Sequence, residues 1–262
     1  MNKSQIVTIL FSIALVLVLY YGCERVPPDQ KEIEQSRSLV VESTDPSVLI
    51  QKAKANVSSV ENAQIGILEQ ELEASLTDSI RLPILERLSG KYYELGYPAL
   101  SGYYAQRIAE IRNTEEAWSI AGTTYSIALQ RSEDDQIRSF LTGRAVQAFE
   151  NAISLNPDNP ANQVNLALVY TSNPPQENPM QGIQLLLDLN NRYPDNVYIL
   201  NNLGRLAIQT GQFDRAIERL ERAYNITPDN SNTICLLAKA YQSAGYIDKA
   251  SQFDEQCQMQ IQ

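Results

Sequence analysis

The pattern of apolar and polar positions divides the chain into segments with different periods. From Ile6 to Tyr21 (IVTILFSIALVLVLYY) the residues are apolar throughout, broken only by Thr8 and Ser12. A helix from Gln5 to Cys23, at about 1.5 Å per residue, would reach roughly 28 Å, close to a hydrocarbon core of about 30 Å. Residues 24–45 carry Pro27-Pro28, dispersed charge and no sustained apolar period. They read as a flexible tether, roughly 25–30 Å in root-mean-square span, and Pro27-Pro28 opposes a helix continuing out of the first segment. Beyond them, stretches such as AVQAFENAISLN, GIQLLLDLNNRY and AIERLERAYNIT repeat apolar residues at three- and four-residue spacing, which predicts amphipathic helices.

Three fates compete for residues 1–23: an uncleaved membrane anchor, a lipoprotein signal and a cleaved signal peptide. Ordinary cleavage requires small residues in an A-x-A-like pattern, and bulky Tyr20 and Tyr21 stand before Gly22 instead. Gly22-Cys23 matches the end of a lipoprotein signal, with Cys23 as the acylated residue, but Tyr20 occupies the place of its leucine. The uncleaved anchor is the preferred reading, with Tyr20 and Tyr21 in the interfacial aromatic belt. Retaining Lys3 and the amino terminus inside leaves the remainder outside the cytoplasm, periplasmic in a bacterial envelope.

The helical part punctuates itself. Asn156-Pro157-Asp158-Asn159, Tyr193-Pro194-Asp195-Asn196 and Thr227-Pro228-Asp229-Asn230 share a Pro-Asp-Asn core, with prolines 37 and then 34 residues apart. Proline ends the helix before it, and Asp or Asn can cap the helix after it. The chain is therefore expected to fold as helix pairs. Residues 46–75 predict one or two further helices, opened by Asp45 as cap and Pro46 as first helical residue.

At this point the sequence resembles the tetratricopeptide repeat (TPR) family, and in particular membrane-anchored bacterial TPR proteins. Residues 197–230 place Leu200, Leu203, Gly204, Ala207, Gly211, Ala216, Leu220, Ala223 and Pro228 at the positions that define the 34-residue unit. Residues from 231 place Ile234, Leu237, Ala238, Tyr241, Gly245 and Ala250 in register, with Cys257 at the second small position of helix B. Residues 160–196 match at Leu166, Ala167, Tyr170, Gly182 and Pro194, with three extra residues near Asn173-Pro174-Pro175. Residues 115–159 match at Trp118, Ala121, Gly122, Tyr125, Ala145, Phe149, Ala152 and Pro157. They hold about eleven extra residues around 132–135, which predicts a lengthened pair with a projecting turn. A weaker match over 82–114 rests on Leu85, Leu88, Tyr92 and Gly96. The resemblance implies an all-α fold: a solenoid of stacked antiparallel helix pairs, preceded by a single N-terminal hydrophobic helix. The expected organisation is anchor or signal segment 1–23, tether 24–45, a helical region with a degenerate pair at 46–114, and TPR units over 115–262.

Composition narrows the function. The 262 residues include no histidine, which removes Ser-His-Asp and Cys-His catalysis and histidine metal ligation. With 21 Lys+Arg against 31 Asp+Glu the net charge is −10, opposite to what neutralising a nucleic-acid backbone requires. Glu69, Glu71 and Glu73 are the densest carboxylate cluster, but on a helix Glu71 points away from the other two. No phosphate loop, GxSxG or metal-ligand spacing occurs, so no cofactor, metal or enzymatic activity is expected.

The family's concave groove, carried over position by position, gives Asn165, Tyr198, Asn201, Asn202, Arg205, Asn232, Cys235 and Lys239. Asparagine offers both a donor and an acceptor to an extended chain, and Arg205 with Lys239 offers cations to a carboxylate. Cys235 and Cys257 fall on the two helices of the last unit, at positions that need not face each other. They are read as partly buried thiols, with a disulfide in an oxidising compartment as the alternative. The expected function is a membrane-tethered scaffold that binds a protein or peptide partner outside the cytoplasm. The alternative is a structural or assembly component of an envelope complex, including a lipoprotein acylated at Cys23.

Overall fold

A computed structural model describes residues 45–261. The expected anchor and all of the tether except Asp45 lie outside these residues. Among the described residues there are twelve α-helices and no strand. They are α1 (Pro46–Asn56), α2 (Ser59–Ala74), α3 (Asp78–Glu94), α4 (Pro98–Arg112), α5 (Glu115–Arg131) and α6 (Asp135–Leu155). Then come α7 (Pro160–Ser172), α8 (Gln181–Arg192), α9 (Val197–Gln209), α10 (Phe213–Ile226), α11 (Ser231–Ala244) and α12 (Ile247–Ile261). From α2 onward each helix packs on the next, and α5 with α7 and α9 with α11 also touch. Contacts this local in sequence make a solenoid, in which each pair hides its apolar face on its neighbours. The core is accordingly layered. Ile65, Leu85, Leu88 and Tyr92 fill the first layers, Tyr125, Leu141 and Phe149 the middle, and Leu220, Leu237 and Tyr241 the last.

The punctuation marks resolve to one rule. In all three motifs the helix ends two residues before the proline, at Leu155, Arg192 and Ile226. The final asparagine, rather than the aspartate, then caps the next helix: Asn159 accepts from Ala161 N, Asn196 from Ile199 N and Asn230 from Thr233 N. The four residues from Asn156, Tyr193 and Thr227 close a turn by an i+3 backbone bond. Proline suits the second position of such a turn because its φ is already set there. Asp45 caps α1 through Ser47 N, and Ser58 with Glu61 forms a reciprocal capping box on α2.

Small residues sit where helices approach most closely. A Cβ on Gly204 would lie 2.6 Å from Leu220 Cγ, one on Gly122 2.8 Å from the Phe149 ring, and one on Gly182 2.5 Å from the backbone oxygen of Ala167. Gly245 ends α11 at φ 84°, a left-handed cap that favours glycine.

The structure differs from the sequence reading in three places. The degenerate pair begins at Asp78 rather than Leu82, and α3 carries Pro83 inside it. The carbonyl that Pro83 leaves without its helical donor belongs to exposed Ser79, where water can serve it. The extra residues of the 115–159 unit lengthen the helices, to 17 residues in α5 and 21 in α6, with only residues 132–134 left as turn. Arg138 on α6 secures this junction: its guanidinium donates to the carbonyls of Leu129, Ser132 and Ser172, closing the C-terminal ends of both α5 and α7.

The third difference corrects the reading of Cys235 and Cys257 as thiols. They form a disulfide between α11 and α12, with Cα atoms 5.0 Å apart. Cys257 occupies a position where helix B of a unit approaches helix A most closely, and Cys235 stands opposite it on α11.

Candidate functional site

The asparagine caps start α7, α9 and α11 at matching levels, so these helices and α5 present corresponding side chains along one surface. Between them lies a recess of about 360 Å³. Six of the residues expected from the sequence line it: Asn165 on α7, Tyr198, Asn201, Asn202 and Arg205 on α9, and Asn232 on α11. Lys239 and Cys235 do not. They line a separate recess of about 450 Å³ between α11 and α12, with Gln242, Ile247 and Asp254. Arg205 and Lys239 are therefore not brought to one cavity.

The groove residues are linked before any ligand arrives. The Tyr198 hydroxyl donates to Asn165 Oδ1 at 2.8 Å, which ties α9 to α7. Asn202 Nδ2 donates to the Tyr198 carbonyl at 2.8 Å, and Arg205 Nη2 donates to Asn202 Oδ1 at 2.7 Å. Asn202 thus sets the direction of the Arg205 guanidinium. Burial raises the Tyr198 pKa, opposed by the positive charge of Arg205 and by a hydrogen bond with Asn202. The phenol stays protonated as a donor. Asn201 is only 3 % exposed and faces the next unit: Thr233 Oγ1 donates to its Oδ1 at 2.9 Å, and its Nδ2 reaches Asn230 Oδ1 at 3.4 Å. Its polar ends are engaged in holding α9 to α11. Asn232, Arg205 and Lys239 are exposed.

The sequence reading did not anticipate the wall contributed by α5. Thr123, Ser126, Ile127 and Gln130 line the recess, at the i, i+3, i+4, i+7 spacing of one helix face. That spacing is legible in the sequence, but the 115–159 unit departs from 34 residues, so the repeat register does not mark its groove positions. Ile127, Leu129, Leu168 and Val169 add apolar contact beside these polar side chains. Among the described residues lining the recess, Arg205 alone carries a charge and no carboxylate is present.

Glu115, at the start of α5, was also missed as a structural centre. Its carboxylate accepts from Asn156 Nδ2 at 2.7 Å, Asn159 Nδ2 at 2.5 Å and Asn162 Nδ2 at 2.8 Å, pinning α5 to the turn between α6 and α7. The amides of Asn156 and Asn159, the largest contributors, lower its pKa below the ordinary glutamate range. The acidic cluster on α2 disperses as its helical spacing predicts. Glu69 meets Lys54 Nζ at 2.6 Å, and Glu71 meets Arg87 at 3.3 Å. Among the described residues, no three His, Cys, Asp or Glu side chains converge as a metal site would require.

A tetratricopeptide repeat profile matches residues 207–253, from the end of α9 into α12. Among solved structures, a thermophilic TPR protein of Thermus thermophilus, TTC0263, is similar with 16 % identity and a TM-score of 0.51, over 70 % of this chain and 91 % of that one. That likeness is one of fold. PilW, described as a widely conserved type IV pilus biogenesis factor, aligns with 17 % identity and a TM-score of 0.48, over 71 % of this chain and 79 % of that one. MamA from Desulfovibrio magneticus RS-1 aligns with 15 % identity and a TM-score of 0.43, over 70 % and 93 %.

Proposed function

We propose that this chain, whose residues 207–253 match a tetratricopeptide repeat profile, is a membrane-tethered tetratricopeptide-repeat scaffold whose groove receives an extended segment of a protein partner outside the cytoplasm. The observation that carries the reading is the groove itself. Asn165, Tyr198 and Asn202 form a chain of hydrogen bonds that ends at Arg205, and among the described lining residues nothing neutralises its charge. A segment with one carboxylate placed for Arg205, and apolar side chains for Ile127 and Leu168, fits that lining. A guanidinium already oriented by Asn202 loses little freedom on binding, which favours affinity.

The tether belongs to the same proposal. The apolar run of residues 6–21 and Lys3 before it support an anchor with the array outside the cytoplasm. The Cys235–Cys257 disulfide supports an oxidising compartment, where such bonds persist. Among the described residues no helix is long and apolar enough to cross a membrane, so the proposed attachment rests on residues 6–21. A second reading, an assembly component of an envelope complex with Cys23 acylated, is favoured by Val60, Ile67, Leu76 and Ile80. All four are more than half exposed on α2, α3 and the turn between them.

The deciding experiment is crosslinked affinity capture of the full-length protein from membranes, comparing Arg205→Ala and Lys239→Ala. The groove reading expects a specific partner to be lost with Arg205→Ala and kept with Lys239→Ala. Retention of the same partners by both variants would refute the groove and direct attention to the α2–α3 surface. Release of the protein by carbonate wash without detergent would refute the anchor.

A further inference from the structure

We propose that the Cys235–Cys257 pair is a redox-exchange site: a dithiol opens it, and opening frees the last turns of α12 while leaving the groove in place. The inference stands on how α12 is held. Its first half has several attachments. Ala250 is buried, Phe253 stacks on Tyr241 and meets Tyr224 edge-on, and Lys249 reaches Glu221. Past Phe253 the support changes. Among residues 254–260, Cys257 is the one buried side chain, while Asp254, Glu255, Gln258, Met259 and Gln260 are exposed. The covalent bond to α11 is therefore what fastens the two last turns of the helix. A short amphipathic end with one buried anchor is marginal without it, because helical turns gain most of their stability from packing.

Access is the second requirement, and the structure supplies it at one sulfur. Cys235 is half-buried and lines the surface recess between α11 and α12, beside Lys239 and Asp254. Cys257 is 9 % exposed and turned inward. The order of events follows. A thiolate of the incoming dithiol attacks Cys235 Sγ, forming a mixed disulfide as the Cys235–Cys257 bond breaks. Cys257 leaves as a thiolate and takes a proton. The second thiol of the dithiol then displaces Cys235, which is protonated in turn. Two electrons and two protons pass to the protein, and the dithiol leaves as its own disulfide. Of the groove helices, α5, α7 and α9 lie outside this exchange, since α12 packs principally on α11, which gives the groove Asn232 alone.

The test is hydrogen exchange by mass spectrometry on the full-length protein in detergent, before and after treatment with dithiothreitol under native conditions. The expected result is that peptides covering 254–261 exchange roughly tenfold faster or more after reduction, a local opening, with α5–α9 unchanged. Iodoacetamide should label Cys235 before Cys257. A Cys235→Ser/Cys257→Ser variant should exchange like the reduced wild type. The proposal is overturned if the disulfide resists dithiothreitol until the protein unfolds, if 254–261 exchange at the same rate in both states, or if the whole array loosens together.

Discussion

The close approach of α7 and α8 permits a quantitative prediction at Gly182. A Cβ there would lie 2.5 Å from the Ala167 oxygen and 2.8 Å from both Thr171 N and Thr171 Cγ2. A carbon meeting a carbonyl oxygen ordinarily stays about 3.3 Å away, so Gly182→Ala would force α8 to withdraw by roughly 0.8 Å. Two of the three obstructing atoms are backbone, which no rotamer change can clear. Overpacking of this kind costs about 1–3 kcal/mol. The gain in helix propensity from glycine to alanine, at most about 1 kcal/mol, offsets part of that cost. With backbone as the obstacle the cost falls at the upper end, about 3 kcal/mol, so the expected net loss is about 2 kcal/mol, or roughly 4–8 °C in Tm for a folded region of this size. Two controls bracket it. Gly143, exposed within α6, has no heavy atom within 4 Å of its added Cβ. Gly143→Ala should therefore raise Tm, by up to about 4 °C. Gly204→Ala should fall between them, because its obstacle, 2.6 Å away, is the buried but rotatable Leu220 side chain. Thermal melts followed by helical circular dichroism measure all three. A Gly182→Ala protein that melts at or above the wild type would refute the reasoning, as would the reverse ranking. Because α7 carries Asn165 and Leu168, Gly182→Ala should also weaken capture by the groove.

Two further outcomes follow from the hydrogen-bond geometry. Glu115 has a folded pKa below its unfolded value, so its contribution to stability is fully present above the ordinary glutamate range and is lost as pH falls through the depressed pKa. Carboxyl NMR should locate that titration, and Glu115→Gln should remove this part of the acid dependence of unfolding; an unshifted titration would sink the idea. At the caps, Asn196→Ala should cost about 1 kcal/mol. Asn230→Ala should cost about 2 kcal/mol, because Asn230 Oδ1 also serves Thr233 Oγ1 and Asn201 Nδ2. Equal shifts in urea midpoint for the two variants would contradict the difference.

What the sequence disclosed depended on whether a feature is local. The Pro-Asp-Asn turns are local: each spans four residues and sets both a stop and a cap, so the helix pairs were legible from 115 onward. Gly204 and Ala223 were legible because close helix approach excludes large side chains at a fixed interval. The choice of Asn over Asp as the cap was not legible, since either residue can serve. The Cys235–Cys257 bond depends on the rotation of α12 about its axis, which spacing alone leaves open. Glu115 gathers amides 41, 44 and 47 residues away, and nothing in its neighbours in sequence marks it. The groove was legible only where the unit kept its period. The α5 wall disappeared from view because the lengthened unit broke the register, and Lys239 shared a repeat position with Arg205 without sharing its cavity.

The Arg138 junction has a kinetic consequence. A linear array with nearest-neighbour coupling behaves like a one-dimensional chain of switches, in which disorder enters at an end and spreads inward one boundary at a time. Arg138 joins three successive segments at a single point, since its guanidinium holds carbonyls of α5, of the following turn and of α7. A melting front arriving from the α12 side must break a charged, multiply bonded contact before it passes α7. A front arriving from the α1 side meets the same contact at the end of α5. The junction is thus a barrier to unravelling from either direction, set at the border of the polar groove.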